Sequence, residues 1–404
     1  MNYEKLQTRL REVMQEEIDR KEAVGTQLRV YHRNREVFCG CFGIDNTETG
    51  REVREDDIYR LFSMTKPVTS VAVYTLLEQG RLSLDDAVER YLPGFREMQV
   101  ETPDGLVPAR RKMTVADLLH MVSGLEYPHP YNPVAARLCE FYQAEEQKSP
   151  DRMLGTVEFC NRLGSYPLLY QPGERWNYGT SADVLGAIVE VVSGSSFRTY
   201  LKETVLTPLG MNDTDFFVPQ EKRDRYASMY IRDEQGNFRR EEPTFLALKE
   251  RHIPPAFESG GAGLLSTMED YGRFALMLLN RGTLPAECSP SGQAVTILRP
   301  ETVAEMTIPG LTEEQRRQCG WESMKGFSYG SLMRILVAPD EVSYRPAFVG
   351  EFGWDGWTGN YVCIDPTNGM TFIYMVQQAN GCRPQMYDRI KQAVYDGLSE
   401  AEQP

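Results

Sequence analysis

The chain has 404 residues, 41% of them hydrophobic, and carries 44 Lys+Arg against 58 Asp+Glu. The resulting charge of −14 disfavours electrostatic capture by nucleic acid or by an anionic membrane, and the apolar content excludes a disordered chain. Its 4 histidines, His32, His120, His129 and His252, leave little material for a histidine-rich metal site.

Residues 2–22 place Tyr3, Leu6, Leu10, Val13, Met14 and Ile18 near helical spacing with charges elsewhere, which predicts an amphipathic helix. This start carries charges where a secretory signal has its apolar run. No later run approaches the roughly 18 residues of a membrane span, so the expectation is a cytoplasmic protein without membrane contact. Gln27–Tyr31 and Glu36–Gly43 flank Arg33-Asn34-Arg35 and predict a hairpin. Residues 66–79 read as a strongly apolar helix with Pro67 in its first turn and Gly80 just past its end.

From 85 to 220 helical pattern is broken by loops at Pro93-Gly94, Pro103-Asp104-Gly105, Tyr127–Pro130, Pro172-Gly173 and Pro208–Gly210. Short runs at 331–337, 347–352, 358–364 and 370–376, the last two separated by Asp365–Gly369, predict an antiparallel meander. Residues 385–399 return to helix. The order suits an α+β fold whose sheet draws on both ends of the chain. The cysteines at 39, 41, 139, 160, 288, 319, 363 and 382 are scattered without zinc-like spacing. They read as ordinary thiols of a reducing compartment, and no metal and no cofactor is expected.

A nucleophile needs a partner that takes its proton. With no G-x-S-x-G elbow and few histidines, a serine activated by lysine is the better reading. Ser63-Met64-Thr65-Lys66 is a Ser-x-x-Lys at the mouth of the apolar helix, and i to i+3 spacing on a helix sets Lys66 beside Ser63. The duller reading is a capping serine and a solvated lysine. Phe62 before the motif and the apolar run after it argue for a buried Lys66, whose pKa would fall into the range of a general base.

Leu61–Lys66 and the PVTSVAVYTLLEQGRLSLDDAVERYLP that follows resemble the opening of the serine β-lactamase and penicillin-recognising superfamily, in particular its class C and family VIII esterase branch. Three further segments match in order. Met113–Leu125 resembles the family's T-x-x-x-L-L-x-H-x-S-G-L, with Met121 where the family has histidine; Pro172–Tyr178 resembles the run ending in its catalytic tyrosine; Gly260–Thr267 with Asp270 resembles its G-G-x-G-L-x-S-T-x-x-D turn. The resemblance spans about residues 20 to 390. It implies a β-lactamase/transpeptidase-like α+β fold, with an α/β sandwich from 1–60 and 220–404, a mostly helical domain from 61–219, and the active site at their interface.

Two departures bear on substrate. Tyr178-Gly179-Thr180 replaces Tyr-x-Asn, and Trp354-Asp355-Gly356 replaces Lys-Thr-Gly, so the amide-binding asparagine and the carboxylate-binding lysine are both missing. This resembles family VIII carboxylesterases and related acyltransferases, and favours a small neutral ester or amide. Ser63 is then the nucleophile, and Lys66 or Tyr178 the base, the two being a coupled pair. The backbone N–H groups of Ser63 and Trp357 form the oxyanion hole. Trp354, Asp355, Gly356, Tyr127 and Thr180 are expected at the substrate pocket, set against plainer readings of Trp354 and Trp357 as sheet packing, Asp355 as a turn residue and Tyr127 as cover for the helical part. His120 reads as a core histidine, and Gly260, Gly261 and Gly263 as a tight turn beneath the site. A β-lactamase or D-amino-acid peptidase and a non-catalytic scaffold are the alternatives; a monomer or homodimer is expected.

Overall fold

The structure, a computed structural model, describes residues 3–242, 245, 246, 248, 251–381 and 383–401. Helix α1 (Glu4–Asp19) buries Leu6, Leu10 and Met14 completely, the stripe expected from their spacing. Strands β1 (Gly25–His32) and β2 (Arg35–Asn46) form the hairpin, turned through Arg33 and Asn34, whose φ angles are +51° and +63°. Two left-handed residues give a turn whose twist matches that of the strands it joins. Strand β3 (Arg51–Glu52) lies beside β2.

The other end of the chain supplies β4 (Phe327–Tyr329), β5 (Arg334–Leu336), β6 (Phe352–Asp355), β7 (Tyr361–Asp365) and β8 (Met370–Val376). Strand β8 pairs with β1 from Thr26 opposite Val376 to His32 opposite Met370. The sheet order is β4-β5-β6-β7-β8-β1-β2-β3, antiparallel throughout, so one sheet does join both ends of the chain. The expected strand at 347–352 is corrected: only Phe352 enters β6. Gly350, at φ +92°, turns the chain just before β6, and Leu336 bonds to both Gly350 and Glu351 there. Pro103-Asp104-Gly105, expected as a loop, sits in a small hairpin between Gln99–Thr102 and Gly105–Pro108.

Four further helices place the site. They are α2 (Thr65–Glu78), α3 (Ser181–Ser193), α4 (Met268–Leu279) and α5 (Pro384–Ala401). Helix α1 lies on one face of the sheet, where Tyr374 of β8 donates to buried Glu17, and α5 packs on α1 through Gly397 against Leu6. Helix α4 lies on the other face, with Gly272 against the ring of Tyr31. Helix α2 is buried from Thr65 to Leu76 and packs on α3, which explains an apolar pattern that runs all round it. Among the described residues no helix is long and apolar enough to cross a membrane. The described cysteines are free thiols, and Cys382 lies outside the described residues.

Candidate active site

Ser63 sits in a single 3-10 turn, Phe62–Met64, that runs directly into α2. Phe62 adopts φ +45°, a left-handed conformation costly for a bulky side chain, and the surroundings hold it there. Leu61 N–H donates to Leu264 O at 3.0 Å, Tyr271 Oη to Met64 O at 2.8 Å, and Asn360 Nδ2 to Arg60 O at 2.7 Å. The turn is therefore pinned from three distant segments, and Ser63 is left half-buried rather than sealed.

One turn on, Lys66 is fully buried and donates to Ser63 Oγ at 3.0 Å, to Gly261 O at 2.8 Å and to Tyr127 Oη at 3.1 Å. All three acceptors are neutral. Burial pulls the Lys66 ammonium down to about 7, against the opposing pull of Asp183 and then Asp355. Burial pushes Tyr127 well above the ordinary tyrosine range, so it stays a neutral phenol. The Lys66 Nζ also lies 4.6 Å from the ring centroid of Tyr178, whose hydroxyl accepts from Trp354 Nε1 at 3.0 Å.

The glycine-rich turn explains how these groups meet. Gly261 accepts from Lys66 through its carbonyl and donates through its amide to Asp183 Oδ1 at 2.9 Å, which also accepts from Ser259 Oγ at 2.5 Å. A Cβ at Gly261 would stand 2.9 Å from Asp183 Oδ2 and 3.0 Å from Tyr127 Oη, so only glycine brings this peptide between α2 and α3. On the sheet side, a Cβ at Gly356 would stand 2.5 Å from the Leu61 carbonyl. That close approach carries the Trp357 amide to the Ser63 turn. Among the described residues, neither the Ser63 nor the Trp357 amide donates to a backbone carbonyl.

Ser63, Lys66, Tyr178, Tyr127, Gly356 and Trp357 are thus brought together. Two residues expected at the pocket are buried. Trp354 is 1% exposed, wedged between Tyr178 and Tyr329, with its indole N–H on the Tyr178 hydroxyl; Thr180 is also 1% exposed, at the start of α3. Asp355 is drawn into an ion pair with Arg334 at 2.9 Å. His120 is half-buried, with Gly310 against its ring, and burial lowers its pKa.

The family described as Beta-lactamase matches residues 10–395. The chain belongs to the beta-lactamase family. The expected fold and the reading of the chain as a serine hydrolase are borne out with it. This family member is 32% identical over 363 residues to an uncharacterized protein of Mycobacterium tuberculosis, covering 87% of this chain and 85% of that one. It is 28% identical over 406 residues to esterase EstB of Burkholderia gladioli, covering 96% and 95%. Among solved structures it superposes with a TM-score of 0.80 on EstCE1, described as a hydrolase with promiscuous acyltransferase activity, at 24% identity over 97% of this chain and 99% of that one.

Two residues near the centre escaped the reading of the sequence. Asp183 lies in the stretch Ser181–Val189, whose other members are small or apolar, and a lone carboxylate in such a stretch signals a buried partner. Trp321 packs on Tyr178 with ring centroids 5.0 Å apart, yet follows a polar helix, Glu313–Gln318, and carries no local signal.

Proposed function

We propose that this protein is a carboxylesterase or acyl-transferring enzyme for small neutral esters, working through an acyl-enzyme on Ser63. The observation that carries this is Lys66 Nζ at 3.0 Å from Ser63 Oγ, buried and held near neutrality among neutral acceptors. Ser63 Oγ bonds to the ester carbonyl carbon while its proton passes to Lys66 or Tyr178. The developing oxyanion meets the amides of Ser63 and Trp357. The bond to the alkoxy group then breaks, and the stored proton goes to the departing oxygen. Water in its place gives hydrolysis, and a second alcohol gives acyl transfer. An esterase and a hydrolase with acyltransferase activity among the similar proteins support the same reading.

The proposed site lies between a sandwich built from 1–60 and 220–404 and a mostly helical part, 61–219, in a cytoplasmic protein. Nothing in the chemistry proposed calls for a metal or cofactor. The test is Ser63→Ala, which abolishes p-nitrophenyl ester hydrolysis and phosphonate labelling. Retained turnover would refute the assignment, and stable labelling of Ser63 by a fluorescent penicillin, without ester turnover, would move it to the β-lactamase or peptidase branch.

A further inference from the structure

The aromatic rings near Ser63 form two groups, one about Trp357 and one about Tyr178. On the oxyanion side Trp357 packs on Phe62 and Phe245, with centroids 5.4 and 4.6 Å away. On the proton-handling side Tyr178 touches Tyr127, Trp354, Trp176 and Trp321 at 5.7, 5.5, 6.0 and 5.0 Å. Within this second group the burial is uneven. Trp354 is 1% exposed and Trp176 6%, whereas Trp321 is 44% exposed.

Trp321 is also held firmly. Gly320, at φ +70°, redirects the chain after the helix Glu313–Gln318, and the Trp321 carbonyl accepts from Met324 N–H at 3.0 Å, starting the next turn. Its indole stands edge-on to Trp176, with centroids 5.1 Å apart at 84°. One part of the ring is therefore fixed on Trp176 and Tyr178 while the rest is open. A large apolar surface left open next to a reactive centre marks a place where a ligand supplies the missing contact.

The chemistry says which part of a substrate comes there. The proton taken from Ser63 is returned to the departing oxygen by Lys66 or Tyr178, so the alcohol portion of the ester must lie on the Tyr178 side while the carbonyl oxygen faces the Trp357 amide. The charged residues flanking Trp321 mix signs, with Arg316, Arg317 and Lys325 against Glu313 and Glu341, and so make no site for an ionic head group. We infer that Trp321 is a specificity-determining platform for the alcohol portion of the substrate, selecting esters of aromatic alcohols and accepting aromatic alcohols as acyl acceptors. This rests on the acyl-enzyme reading of Ser63 and adds the class of alcohol to it.

The experiment compares benzyl acetate with 2-methoxyethyl acetate, two esters with one acyl group and alcohols of similar acidity, in the unsubstituted protein, Trp321→Ala and Trp321→Phe. Expected is a ratio of kcat/KM, benzyl over methoxyethyl, that falls about tenfold in Trp321→Ala and is largely restored in Trp321→Phe, with the loss carried by KM. The partition of acetyl-Ser63 between benzyl alcohol and water falls by a similar factor in Trp321→Ala. An unchanged ratio in Trp321→Ala, or equal losses on both esters, overturns the platform while an acetyl adduct on Ser63, seen by intact mass, leaves the acyl-enzyme reading standing. Absence of any Ser63 adduct in the unsubstituted protein overturns both.

Discussion

Among the described residues two lysines lie in the interior, and the structure treats them in opposite ways. Lys66 is 0% exposed and Lys391, on α5, is 2% exposed, so both lose nearly all their hydration. Lys391 meets a carboxylate directly, donating to Glu351 Oε1 at 2.5 Å and to Tyr344 Oη at 3.2 Å, and its Nζ lies 4.3 Å from the centroid of the Tyr344 ring. Burial pulls its pKa down, but Glu351, together with Tyr361, Cys363 and Tyr344, outweighs that and holds it well above the ordinary lysine value. Among the described residues Lys66 has no carboxylate hydrogen-bond partner, and the charges of Asp183 and Asp355 act on it at longer range. Burial alone therefore does not make a lysine a base. What decides is whether the first layer of partners is charged or neutral.

The sharpest break of this contrast is Lys66→Met. Its loss should lower kcat/KM for ester hydrolysis by about 10³-fold or more, the scale of a proton-transfer group acting on its own nucleophile. Thermal unfolding at pH 6 should nonetheless show no loss of stability. Below the folded-state pKa near 7 the native protein must carry a buried ammonium ion, and methionine removes that cost. A variant both inactive and strongly destabilised at pH 6 would place Lys66 with the structural ion pairs.

Lys391→Met is the mirror experiment. It leaves Glu351, 1% exposed, without its cation, and should cost about 3–5 kcal/mol in denaturant unfolding. The folded fraction should keep its ester turnover per molecule, since Lys391 touches nothing in the Ser63 centre. The double change Lys391→Met with Glu351→Leu removes both charges and should recover much of the stability, because a pair replaced by apolar side chains leaves no orphaned charge.

How far this was legible in the sequence follows from the range of the interactions. Ser63 and Lys66 lie three residues apart on one helix, and their juxtaposition follows from helical geometry alone. The hairpin was readable because alternation and turn residues mark strands locally, and that the sheet draws on both chain ends followed from the order of elements, whereas the pairing of β1 with β8 was not readable. The neutral surroundings of Lys66 were not readable, since Tyr127 and Gly261 arrive from 61 and 195 residues away and only the folded packing brings them in. Trp354 and Thr180 were misplaced for a related reason. A motif fixes a residue's position along the chain but not how deeply it is buried, and both are 1% exposed, Trp354 packed against Tyr178. Trp321 had no period or motif to mark it and is defined only by what it touches.

The smallest effect tests the long-range part of the comparison, the charge that tunes Lys66 without bonding to it. A base must be unprotonated to accept the Ser63 proton, so with Lys66 at about 7 the value of kcat/KM should rise with pH up to about 7 and level off above it. The charged groups acting on Lys66 are Asp183 from α3 and Asp355 from β6, while the neutral phenol of Tyr127 accepts from it and the ring of Tyr178 faces it. Both aspartates favour the ammonium form, and Asp183 has the larger influence of the two. Asp183→Asn keeps an oxygen that can accept from Ser259 Oγ and the Gly261 amide, and removes only the negative charge. The Lys66 pKa should then fall further, and the acid limb of the kcat/KM profile should move below its position in the unsubstituted protein, with a modest change in the plateau. A limb that stays in place would mean that burial among neutral acceptors sets the basicity of Lys66 without Asp183, and a limb that moves to higher pH would show that Lys66 is not the group whose deprotonation the profile reports.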